Sequence, residues 1–102
     1  MLTIPTTATP SQNIQTNVGG QSVVINLYQK DKGLFADVVS NNVTIVSAVI
    51  CLDAVPLIAA DYMGFSGNLM FVDTQGNSDP DYTGLGDRFQ LVYLTADEYA
   101  VI

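Results

Sequence analysis

Two-residue alternation of apolar side chains is what most limits the folds open to this chain. In Ser22 to Tyr28, the residues Val23, Ile25 and Leu27 fall on one face while Val24, Asn26 and Tyr28 take the other, the pattern of a half-buried β-strand. Leu34 to Val39 repeats it, with Leu34, Ala36 and Val38 set against Phe35, Asp37 and Val39. The polar run Gln29 to Gly33 between them predicts a hairpin with a five-residue connection. Upstream, Asn13 to Val18 closes at Gly19-Gly20, a two-residue turn signal. The three segments together predict an antiparallel meander.

The next segment, Val43 to Leu52, follows Asn41-Asn42 and is apolar on both faces. Val43, Ile45, Val49 and Cys51 lie on one side, and Val46, Ala48, Ile50 and Leu52 on the other. Such a strand is expected to be covered on both faces, by bending through a small barrel or by meeting a neighbouring subunit. No amphipathic helical stripe of three turns occurs in the sequence. Asp53 to Asp61 has room for one helical turn, and Thr95-Ala96-Asp97-Glu98 has the spacing of a capping box. The expectation is an all-β chain, a small antiparallel β-barrel or sandwich of about seven strands with a long Gly/Asp-rich loop, forming one domain over residues 1–102.

Charge narrows the function classes. Three Lys/Arg oppose ten Asp/Glu, and beyond Lys32 the only cation is Arg88. Phosphate recognition needs clustered Lys and Arg that displace counterions, so no specific nucleic-acid partner is expected, and the same deficit argues against anionic lipid. The longest uncharged apolar stretch, Val38 to Leu52, is interrupted by polar residues and falls short of the ~20 residues that a membrane helix requires. Hydrophobic residues make up 48% of the sequence and charged ones only 13%, below the roughly 25% of an average soluble domain. Part of the apolar surface is therefore expected to be covered by other subunits.

The chemistry-bearing residues are few. There is no histidine, which removes Ser-His-Asp, Cys-His and histidine-metal arrangements. The single cysteine, Cys51, sits among Val49, Ile50 and Leu52 and reads as a buried thiol. Lys30 and Lys32 flank Asp31 in a turn and read as solvated. Asp79, Asp81 and Asp87 lack the tryptophan platform of a sugar site. Between Asp73 and Asp81, oxygen-bearing side chains recur at every second position, as in a calcium loop. The glycine, Gly76, falls at the fourth place instead of the sixth, and Gly84 stands where a bidentate glutamate is required. No enzyme activity, metal or cofactor is expected. The alternative is a small homo-oligomeric β-module binding calcium or a glycan.

The most specific pattern lies between Asp61 and Tyr93. Tyr62-Met63-Gly64-Phe65-Ser66-Gly67-Asn68-Leu69, then Phe71-Val72-Asp73 with Gly76, then Asp79-Pro80 and Leu85-Gly86-Asp87-Arg88-Phe89-Gln90-Leu91-Val92-Tyr93, resembles the baseplate plug family of contractile-tailed bacteriophages. Ile4-Pro5, Gly20-Gln21 and Asp97-Glu98 agree with it, while Phe35 stands where similar sequences often place a tryptophan. The resemblance implies a virion subunit, assembled in the host cytoplasm, at or near the central hub and tail-tube end of the baseplate. It would close the tube or join hub and wedge by packing against other baseplate, hub and tail-tube proteins, as a threefold or sixfold homo-oligomer. In that setting Gly64, Gly67, Gly84 and Gly86 read as positive-φ turn residues, and Asp87 and Arg88 as structural or interaction residues. Arg88, alone among acids, is expected to pair with a carboxylate, Asp73 or Asp87 within the subunit, with a contact to another subunit as the alternative.

Overall fold

The computed structural model describes residues 2–58 and 67–95. Among them are seven strands: β1 (Leu2–Ile4), β2 (Ser11–Val18), β3 (Gln21–Lys30), β4 (Gly33–Ser40), β5 (Val43–Ile50), β6 (Asn68–Asp73) and β7 (Phe89–Leu94). They form two antiparallel sheets, ordered β1-β7-β6 and β2-β3-β4-β5. Among the described residues no barrel closes, and the two sheets make a sandwich-like all-β fold.

The meander follows the alternation. Val23, Ile25 and Leu27 of β3 and Leu34, Ala36 and Val38 of β4 are all buried, at 1% exposure or less. They share a core with Ile4 of β1, Leu69 and Phe71 of β6, and Phe89, Leu91 and Tyr93 of β7. Each fully buried Leu, Ile or Phe contributes about 1.5–3 kcal/mol, so this shared core is what holds the sheets together. The connecting segment adds Cys51, Leu57 and Ile58. On the other face of the three-stranded sheet, Met70, Val92 and Leu94 form a smaller apolar cluster.

Turn chemistry sets the registers. Gly19 and Gly20 have φ of 57° and 74°, and Asn41 and Asn42 have 51° and 67°, the left-handed pairs that a tight hairpin turn needs. They join Val18 to Gln21 and Ser40 to Val43 across two-residue turns. The hairpin expected to have a five-residue connection is tighter. The ladder runs on to Lys30 opposite Gly33, leaving Asp31 and Lys32 as the turn, because polar side chains on exposed strand ends do not stop backbone pairing.

β5 departs most from expectation. It is an edge strand whose Val43 and Ile50 are 54% and 38% exposed, so within the chain it is not covered on both faces. Its register against β4 slips between Ala36 and Val38 and again between Val38 and Val39. Two bulges break the simple alternation, and Ala48 takes φ 55°. β1, unmarked by any alternation, pairs Leu2, Thr3 and Ile4 with Tyr93, Val92 and Leu91. Asp53 to Ile58 forms bridges and bends along β6 and no helical turn. The rest of the segment to Asp61, and the capping-box residues Asp97 and Glu98, lie outside the described residues.

Candidate functional site

The connection from β6 to β7 is organised by one ion pair. β6 ends at Asp73, which faces Phe89 across the ladder, so Arg88 lies one residue outside the pairing and beside Asp73. Arg88 Nε donates to Asp73 Oδ1 at 2.8 Å and Nη2 to Oδ2 at 2.8 Å, the two-pronged geometry that suits guanidinium and carboxylate. The Asp73 side chain is fully buried and that of Arg88 is 36% exposed. Asp73 also accepts the backbone N–H groups of Gln75 at 2.9 Å and Ser78 at 2.8 Å. The Arg88 guanidinium first, and those two amides next, hold the carboxyl well below the usual carboxylate range against the opposing effect of burial. Asp73 in turn pushes the Arg88 guanidinium further up.

The neighbouring acids are also spent on backbone. Asp53 Oδ1 accepts Asp73 N at 2.8 Å, and Asp53 N donates to Asp79 Oδ1 at 3.0 Å. Asp81 caps the 3-10 turn Tyr82–Gly84 by accepting Thr83 N at 2.9 Å. Tyr82 N donates to Gln29 Oε1 at 3.1 Å, tying the connection to the end of β3. The side-chain oxygens of Asp73, Asp79 and Asp81 thus serve a folded loop. Among the described residues no group of three or more His, Cys, Asp or Glu is arranged to hold a metal.

The remaining predicted residues fall in two places. Gly84, Gly86 and Asp87 stand beside Arg88, whereas Gly67 lies at the far end of β6, and Gly64 is outside the described residues. Gly86 has φ 81°, and a Cβ there would strike the Thr6 carbonyl oxygen; Gly67 has φ 88°, and a Cβ there would strike that of Leu94. Gly84 is not left-handed as expected. It is small because the Phe89 ring comes within 2.6 Å of where a Cβ would stand. Asp87 keeps an exposed side chain, and its carbonyl accepts Gln90 Nε2 at 2.6 Å.

Three polar residues that the sequence reading passed over prove structural. Asn68, 2% exposed, donates to Ile58 O at 2.8 Å and accepts Ile58 N at 3.1 Å, docking the β5–β6 connection on β6. Asp53 does the same further along. Asp37 is the acceptor for the β5 bulge, taking Ala48 N at 2.7 Å, Tyr28 OH at 3.0 Å and Ser47 Oγ at 3.4 Å. A single acid inside an alternating strand was the available signal for it.

Asp37 also sits in the outer face of the four-stranded sheet. There the Tyr28 and Phe35 rings stack at 6.2 Å, Lys30 Nζ lies 5.5 Å from the Tyr28 ring centre, and Ile50 pairs opposite Phe35. Burial and the Asp37 carboxylate raise the Tyr28 hydroxyl pKa. Val24 and Val39 are half-buried beside them. Within this face Val24, Tyr28, Phe35, Val39 and Ile50 form an apolar and aromatic patch around Asp37, which suits contact with a protein surface.

Against known proteins, the model of the family described as cyanophage baseplate Pam3 plug gp18 matches residues 1–97. No curated protein matches the sequence.

Proposed function

The chain belongs to the cyanophage baseplate plug family and so has a structural role in the phage tail baseplate, and we propose that it acts at or near the central hub and tail-tube end. There it closes the tube or joins hub and wedge by subunit packing and release, with no bond chemistry. The observation that carries this is the apolar and aromatic patch of Tyr28, Phe35 and Ile50 on the outer face, on a chain with few charges. Its partners are other baseplate, hub and tail-tube proteins, and copies of itself in threefold or sixfold number. Arg88, Asp87 and the glycines Gly67, Gly84 and Gly86 keep the β6–β7 region in the shape those contacts need. The exposed acids Asp79, Asp81 and Asp87 face the lumen, where negative charge lets DNA slide past.

Cryo-imaging of the assembled particle tests the position. Density for this chain on the tail axis at the tube end is expected, and density confined to the baseplate periphery would overturn the axial role.

A further inference from the structure

Edges of the two sheets are treated unequally. β5 is broken by two register shifts. β6 is flanked by Asp53 and Pro56, which bridge to Phe71 and Met70, and β1 has three residues. β2 differs: it runs for eight residues in unbroken register with β3 and ends its sheet. Edges of this kind are normally blunted by Lys, Pro or a bulge, and Ser11–Val18 contains none of these.

The direction of its free backbone groups follows from the pairing. Gln29 N donates to Pro10 O, and Val18 faces Gln21 across the Gly19-Gly20 turn. Bonded pairs alternate along an antiparallel ladder, so Gln12, Ile14, Thr16 and Val18 bond to β3. Asn13, Gln15 and Asn17 therefore direct both N–H and C=O outward, as does Ser11, whose C=O also accepts Thr9 Oγ1 at 3.3 Å.

We infer that this edge pairs with the same edge of a second copy of the chain, antiparallel about a two-fold axis at Ile14. Charge selects that occupant. The chain carries −7, yet every charged side chain lies at Lys30 or beyond, so two copies meet along β2 without a charged side chain on either strand. The spacing is also self-complementary. Asn13 falls opposite Gln15 of the second copy and Ser11 opposite Asn17, all four as bonded pairs with hydroxyl or amide side chains on one face, while Ile14 meets Ile14 on the other. A two-fold parallel to the tail axis leaves both copies facing the same way, so three pairs around that axis make six copies in a threefold arrangement. The inference deepens the proposed packing role and rests on that reading only for where the pair is used.

Light scattering of the purified chain over a concentration series, with hydrogen exchange on the same samples, tests it. A two-copy mass is expected, with the Ser11, Asn13, Gln15 and Asn17 amides protected only where the pair forms. Asn13→Lys with Gln15→Lys sets like charges opposite each other and weakens the pair at least about tenfold; Asn13→Asp with Gln15→Lys restores it. A single-copy mass throughout, with those amides exchanging freely, overturns the inference, as does a pair indifferent to the double-lysine change. Either failure concerns the isolated chain and leaves the axial position in the tail standing.

Discussion

Asp73 shows how one carboxylate can close a loop that looks, by composition, like a ligand site. Its oxygens meet one guanidinium and two backbone amides, so its charge is stabilised in the folded chain and its pKa depressed. The sign of the pH dependence follows. A depressed folded pKa means that the unfolded chain binds the extra proton first, so the stabilisation is full above the ordinary carboxylate value of about 4 and declines as pH falls below it. Acid titration of thermal melting should show that decline in the wild type. Asp73→Asn should melt lower at neutral pH and lose much of the slope. Arg88→Lys should recover part of the stability lost in Arg88→Ala, because an ammonium cannot make both bonds of the planar fork. An Arg88→Ala chain melting like the wild type at neutral pH would remove the pair from the account of the loop. Cys51, 1% exposed, reads differently: burial pushes its thiol up to about 12, which leaves it a core side chain with no nucleophilic character at neutral pH.

At the scale of elements, β5 is bent by a side chain on its neighbour. Asp37 accepts the Ala48 N–H inside the bulge, and Asp37→Ala leaves that donor unpaired at an expected cost of about 1–3 kcal/mol. Ala48 itself holds φ 55°, a conformation that disfavours residues with a Cβ by roughly 1–2 kcal/mol, so Ala48→Gly should raise stability. Denaturant unfolding of the two variants checks both signs, and an Ala48→Gly chain weaker than the wild type would show that the bend is not strained. The same strand marks where sequence pattern stops being informative. β3 and β4 were legible because each face meets one environment, and Gly19-Gly20 and Asn41-Asn42 announce their turns. β5 was not, since two inserted residues shift the alternation and the acid that accommodates them lies on another strand. β1 escaped notice because three residues between Met1 and Pro5 carry no period. In the loop, the need of Arg88 for a carboxylate was readable from the charge count. The choice of Asp73 over Asp87 depends on the β6–β7 register, which places Asp73 against Phe89, and no local spacing encodes that.

For the whole molecule, the division that matters is between an inner face that holds the fold and an outer face that the fold does not need. Leu34 is fully buried in the shared core, while Ile50 is 38% exposed on the outer side of the same sheet, opposite Phe35. An apolar residue left at that exposure adds little to the stability of the isolated chain, yet a charge placed there must be desolvated when the face meets another protein. The two substitutions should therefore separate. Leu34→Ala should cost about 2–5 kcal/mol through the cavity it opens and reduce the amount of folded chain. Ile50→Lys should change the unfolding free energy by less than about 1 kcal/mol, as surface substitutions usually do, while sharply lowering the amount of the chain recovered in purified particles. Chemical denaturation paired with the protein composition of those particles reads both quantities. Normal incorporation of Ile50→Lys would transfer the contact role from this face to another part of the molecule, and poor folding of the same variant would mean that the outer face belongs to the core.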